Sequence, residues 1–201
     1  MRGVFTLPLF PLEGEVLLPG ERVSVPGARL GTRAILTRAE GFGGAVVASL
    51  VDGESVHEVG VMAMVADEEE GDTTLHGISR CRLLSLHSDE VTLVQAERYP
   101  EEDAKGTNEQ RVARLLLARF ERLRQRLGKD LGAPVRSQDL SRLTWRITAE
   151  LGLSAEQQQG FLSVPDSVTR GKLLLLAVRE LARREQFLRR WAHLRNPNPW
   201  N

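Results

Sequence analysis

The stretch His57-Glu58-Val59-Gly60-Val61-Met62-Ala63-Met64-Val65 decides the fold of the first half of the chain. Val59, Val61 and Ala63 share one parity, while Met62 and Met64 take the other. A strand here places apolar side chains on both of its faces, which predicts a sheet covered on both sides. Glu90-Val91-Thr92-Leu93-Val94-Gln95-Ala96 is a second run of the same kind. Clusters of Gly, Pro and Asp separate these runs, as in a closed or folded antiparallel sheet. Between two strands, Asp67-Glu68-Glu69-Glu70-Gly71-Asp72 reads as a solvated hairpin tip. One helix is expected within this half, about Ala28 to Ala39, stopped by Gly41-Phe42-Gly43-Gly44.

Near Gly106 the period changes from two to 3.6. Thr107-Asn108-Glu109-Gln110 and Ser154-Ala155-Glu156-Gln157 have the form of full capping boxes, and Ser163-Val164-Pro165-Asp166 is a further N-terminal capping pattern. After the first of these, Val112, Leu115, Leu116, Phe120, Leu123 and Leu127 form one apolar stripe. After the last, Leu174, Ala177, Val178, Leu181, Leu188 and Trp191 do the same. A middle helix is expected from roughly Gln138 to Leu151, closed by Gly152. The fold class is therefore α+β: an antiparallel β domain with one helix over residues 1–105, then an all-helical subdomain over residues 106–201.

The chain has 201 residues, 41% of them apolar, and its 27 basic residues balance 27 acidic ones. That zero total hides a division. Up to Lys105 there are nine Lys/Arg against eighteen Asp/Glu, a charge of −9, and from Gly106 onward the charge is +9. Arg111, Arg114, Arg119, Arg122, Arg124 and Arg126 crowd one helix, and Arg183, Arg184, Arg189, Arg190 and Arg195 another. Helical rotation is expected to spread both sets around the polar arc as a solvated face, with few aromatic partners for nucleic-acid bases. The single cysteine, Cys81, excludes an intramolecular disulfide. The longest apolar run, Leu173 to Val178, is six residues, against roughly 20 for a membrane span. With no secretory h-region, a soluble cytoplasmic protein without membrane association is expected.

Catalytic motifs are missing from the sequence. Of the lysines, Lys129 and Lys172 follow glycines, but Leu123 and Asp166 stand where a phosphate-binding loop needs its first glycine. No lysine has a serine three residues before it. Gly77-Ile78-Ser79-Arg80-Cys81 lacks the last glycine of a nucleophile elbow. His76, Cys81 and His87 invite a metal reading; strand parity puts Cys81 with His87 and His76 on the other face, without tight ligand spacing. No catalytic residue, metal or cofactor is expected.

Several strings, taken in order, carry a resemblance. They are Leu7-Pro8-Leu9-Phe10-Pro11-Leu12 with Val16-Leu17-Leu18-Pro19-Gly20, Val59-Gly60-Val61-Met62-Ala63, and Thr74 to Leu83 with its Gly77-x-x-Arg80 corner. Leu151-Gly152-Leu153-Ser154-Ala155-Glu156-Gln157-Gln158-Gln159 completes the set. Together they resemble the N-terminal substrate-recognition domain of Lon proteases, the LON domain, over nearly the full chain. The family's aromatic lead-in to its first helix is replaced here by Val25-Pro26-Gly27-Ala28-Arg29-Leu30-Gly31. The resemblance implies a PUA-like β pseudo-barrel followed by helices. It also implies binding of unfolded polypeptide or a partner protein, in a groove between barrel and helices or at an exposed apolar barrel edge. With the sequence given ending at Asn201, a free-standing LON-domain protein without ATPase or Ser-Lys peptidase activity is expected. Nucleic-acid binding by the basic helical half is the alternative.

Among the matched residues, turn and strand chemistry gives structural roles. Gly60 and Gly77 suit a bulge or a close strand approach, and Pro8 and Pro11 an edge or strand end. Arg80 can hold the corner through carbonyl or carboxylate hydrogen bonds. The sequence singles out no binding residues.

Overall fold

A computed structural model describes residues 3–26, 31–69, 72–101, 107–128 and 139–190. Seven strands and five helices lie among them: β1 (Val4–Glu13), β2 (Arg22–Pro26), α1 (Thr32–Glu40), β3 (Ala45–Asp52), β4 (Ser55–Val56), β5 (Val59–Glu69), β6 (Asp72–His87), β7 (Leu93–Arg98), α2 (Thr107–Leu127), α3 (Leu140–Glu150), α4 (Ala155–Leu162) and α5 (Ser167–Arg190).

The strands run in the order β1-β7-β6-β5-β3-β4, and β1 also pairs with β3, which closes the ring. Every pairing is antiparallel except β1 with β3. β1 manages this by changing partner midway: Val4–Pro8 pair with β7 and Leu9–Glu13 with β3. Closure removes the free edges that an open sheet would present along β1 and β3. The alternation read from Val59–Val65 is realised in part: Val59, Val61 and Ala63 are buried on one side, while Met64 on the other is exposed. Met62 on the other side packs against the cluster of Leu7, Leu9, Val47, Cys81, Val94 and Ala96.

α1 starts at Thr32 rather than at Ala28. Gly31 precedes it with φ +86°, in the left-handed region, so a helix cannot run backward through it. Residues 27–30 lie outside the described residues. The expected stop holds, with Gly44 donating to the Ala39 carbonyl at 2.9 Å. The tip of the acidic hairpin, residues 70 and 71, is also outside the described residues, while Glu69 pairs with Asp72 on either side of it.

The chain divides into two compact units, residues 1–103 with 152–166, and residues 104–151 with 167–201. Residues 152–166, which the sequence assigned to the helical subdomain, belong with the sheet. The cause is hydrogen bonding: Gln159 on α4 donates to the Val59 carbonyl at 2.8 Å, and Arg80 on β6 holds the turn after α4. Ser154 forms the capping box expected of it, accepting from Gln157 N while the Gln157 side chain accepts from Ser154 N. Ser163 does not open α5. It closes α4, donating through Oγ to the Gln159 carbonyl at 3.0 Å, and α5 begins at Ser167. In the second unit α2 and α5 pack along each other and both touch α3. Gly171 allows the close approach, since a Cβ there would stand 2.7 Å from Val112 Cγ1.

Candidate functional site

The residues singled out by the sequence converge on the sheet unit's framework. β6 is bent and shared: its first part pairs with β2 and its last part with β7. At the bend, Gly77 N donates to the Glu21 carbonyl and Gly20 N to the Gly77 carbonyl, at 3.0 and 2.8 Å. A Cβ on Gly77 would lie 2.4 Å from the Leu18 carbonyl oxygen. Gly60 serves a similar close approach, with Ala48 O at 2.8 Å from its would-be Cβ. Arg80 is buried, and its guanidinium donates to the carbonyls of Leu162, Val164 and Pro165 while lying over the Tyr99 ring at 4.6 Å. Burial pushes its pKa down, opposed by Glu101, Tyr99 and Asp166 nearby; arginine remains a cation regardless. Pro8 ends the β7 ladder, and Pro11 stands in the part of β1 that pairs with β3 alone.

Two residues shift the strand parity on which the metal reading rested. Opposite β5, Ile78 is an extra residue between Gly77 and Ser79; opposite β7, Leu84 is one between Leu83 and Ser85. Each such bulge resets which face the following residues take. Cys81 and His87, united by parity, therefore fall on opposite faces, and His76 and Cys81 on the same one. Cys81 is fully buried, and burial pushes its thiol up to about 12; a protonated, inaccessible thiol is a poor nucleophile. Among the described residues no three His, Cys, Asp or Glu side chains are grouped to hold a metal ion.

Two grooves lie among the described residues of the helical unit. In its core Arg170 is fully buried, with its guanidinium 3.5 Å from the centre of the Trp145 ring and Nε donating to Thr144 Oγ1 at 2.9 Å. No sequence pattern signalled it. The first groove is about 280 Å³, with Phe120, Leu123, Leu127, Leu151, Leu181 and Leu188 as its apolar floor. Its rim carries both signs, Arg124 and Arg184 with Glu150 and Glu185. Arg146 Nε donates to Glu150 Oε1 at 2.7 Å, while buried Glu150 Oε2 has no hydrogen-bond partner among the described residues. Leu127 and Leu188, placed by their spacing in the apolar stripes, are 37% and 40% exposed because they line this opening.

The second groove corrects the expectation that the arginines are spread out. Arg119, Arg122 and Arg126 on α2 and Arg179 and Arg183 on α5 line one depression of about 310 Å³. Spacings of three, four and seven residues put each set on one helix face. Arg179, four residues before Arg183, completes the set on α5, and this spacing is the signal that the sequence holds.

The sequence has no match among curated proteins. Two of the solved structures that share the fold illustrate the likeness. The N-terminal domain of Lon protease from the Mycobacterium avium complex is 19% identical with a TM-score of 0.71, over 87% of this chain and 98% of that one. A Lon N-terminal domain protein from Xanthomonas campestris is 20% identical with a TM-score of 0.63, over 86% and 98%. The model of the ATP-dependent protease La (LON) substrate-binding domain matches residues 6–180. The chain belongs to the LON substrate-binding domain family.

Proposed function

We propose that the chain is a non-catalytic polypeptide-binding module, which takes unfolded segments or a partner protein into the apolar groove of its helical unit. The observation that carries this reading is the make-up of that groove: six apolar side chains on the floor, mixed charge on the rim, and the unpartnered acceptor Glu150 Oε2. At about 280 Å³ it lies at the small end of ligand pockets, which run roughly 300–1,000 Å³. Such a space suits one or two apolar side chains of a chain segment better than a cofactor, and a peptide N–H supplies the donor that Glu150 lacks. Membership of a substrate-binding family supports the same reading. So does the sequence, which has neither a phosphate-binding loop nor a Ser-x-x-Lys pair. A lone, buried thiol suits a cytoplasmic setting.

Burying one or two apolar side chains yields about 1.5–3 kcal/mol each. Main-chain and rim contacts add to this, and the affinity expected is modest, Kd on the order of 1–100 μM or about 5–8 kcal/mol. The test is titration of a labelled, reduced and alkylated, permanently unfolded protein. Saturable binding should survive about 0.5 M salt, since apolar contact is weakly screened. Leu127→Asp and Leu188→Asp, both at partly exposed positions, should each weaken it by roughly tenfold, about 1.4 kcal/mol. Failure to bind at about 200 μM, a free energy near −5 kcal/mol, defeats the proposal.

A further inference from the structure

We propose that the seam between α2 and α5 is a second binding site, for acidic polypeptide segments with interspersed apolar residues. The inference rests on the reading that the chain binds polypeptide, and it adds a preference for charge.

Five arginines line the seam, Arg119, Arg122, Arg126, Arg179 and Arg183, and no Asp or Glu lines the groove. Only Arg183 is neutralised, by Glu180 at 2.9 Å; the other four have no ion-pair partner among the described residues. Elsewhere on the same helices arginines do find acids, as Arg124 does with Glu121 and Arg189 with Glu185. Like charges three and four residues apart repel. Concentrating five of them along one seam sets up a positive field that a negative ligand relieves. Arginine forks match carboxylates two hydrogen bonds at a time.

The floor decides what kind of anion fits. Leu123, Val178 and Ala182 lie between the arginine rows. A phosphate chain has nothing to place on an apolar floor, and the groove has no aromatic ring on which a base can stack. An extended acidic peptide has both features. Its same-side residues repeat at about 6.6–6.8 Å, near the roughly 4.5–6 Å rise between arginines three or four residues apart on one helix. Carboxylates can thus meet successive arginines while apolar side chains turn to the floor.

The experiment uses the full chain and three fluorescein-labelled probes: four Glu-Leu-Glu-Ser repeats, four Lys-Leu-Lys-Ser repeats, and an oligothymidine of similar length. The acidic peptide should bind at about 0.05 M salt, weaken at least tenfold by about 0.5 M, and exceed the lysine peptide at least tenfold. The double variant Arg122→Glu/Arg179→Glu should abolish that preference, whereas Arg122→Lys/Arg179→Lys should retain most of it. Both positions are exposed, so far-ultraviolet circular dichroism should show an intact fold. Equal binding of both peptides, or an unchanged affinity in the double reversal, overturns the proposal. Oligothymidine binding that exceeds the acidic peptide's and vanishes in the reversal also overturns it, and gives the seam to nucleic acid. Salt-resistant binding of the alkylated client, sensitive to Leu127→Asp, reports on the apolar groove alone, so the two readings fail separately.

Discussion

Arg80 is 3% exposed and donates to three main-chain carbonyls, from the last residue of α4 and the turn that follows it. Carbonyl oxygens left buried without a donor cost about 1–3 kcal/mol each. Arg80→Met should therefore destabilise the protein by roughly 3–5 kcal/mol, read as a lowered urea midpoint. Arg80→Lys should recover little, because one ammonium cannot span three acceptors. Gly77→Ala forces a Cβ to within 2.4 Å of the Leu18 carbonyl, a backbone atom that cannot swing aside. A cost of about 2–4 kcal/mol follows. Gly152→Ala meets open space at φ +64° and should cost only about 1 kcal/mol, from strain alone. Cys81 adds a pH dependence. Its thiol is raised from 9.0 to about 12 in the folded state, so the native protein keeps a proton that the unfolded chain releases. Its contribution is complete below pH 9 and falls as pH climbs toward 12, by up to about 1.4 kcal/mol per pH unit. Urea titrations from pH 8 to about 10.5 should show a steeper loss of stability in the wild type than in Cys81→Ala. Parallel slopes would remove Cys81 as the cause.

At the scale of elements, local signals were readable wherever one residue's chemistry settles the matter. The capping box at Ser154 is such a case, and Ser154→Ala should cost about 1 kcal/mol and fray α4. Gly152, expected to close the middle helix, follows α3 with φ +64°. The start of that helix, expected near Gln138, is fixed at Leu140 by a cap that the sequence reading did not name, Asp139, which accepts from Ser141 N at 2.9 Å. Alternation over Val59–Val65 gave the buried face of Val59, Val61 and Ala63, but the other face is covered only as far as Met62, and Met64, beyond the register shift, is exposed. Alternation failed on β6, where Ile78 and Leu84 are extra residues that no period-two template contains. Their 44% and 49% exposure follows from being pushed out of the ladder. Ser163 misled for a related reason. A serine before Pro165 can start one helix or finish another, and the choice lies with Arg80, more than eighty positions away. The two grooves were legible only in part. The stripe of Phe120, Leu123 and Leu127 was visible, but what makes it a floor is its juxtaposition with Leu151, Leu181 and Leu188 from two other helices.

On the scale of the whole molecule, the first unit is built from two stretches of chain, 1–103 and 152–166. The change of period near Gly106 marks where helices begin, yet the unit's stability depends on a segment well beyond it. That segment supplies the carbonyl acceptors for Arg80, the Gln159 donor to Val59 O, and Leu162. A polypeptide of residues 1–105 alone keeps all seven strands and loses each of these. Removing one side of a buried charged interaction costs about 3–5 kcal/mol, and lost apolar burial of a leucine about 1.5–3 more. Together about 4.5–8 kcal/mol, this loss brings the fragment near or below zero if the total lies in the lower half of the usual range of about 5–15 kcal/mol. Residues 1–105 should therefore show no cooperative unfolding transition by circular dichroism and should aggregate at micromolar concentration. A synthetic peptide of residues 150–168 added in trans binds only the folded form and should restore the transition, with a midpoint that rises with peptide concentration. The same peptide carrying Gln159→Ala and Leu162→Ala should do so weakly or not at all. A stable, cooperatively folding 1–105 fragment that ignores the peptide would show that the sheet closes without α4, and that Arg80 finds its acceptors elsewhere.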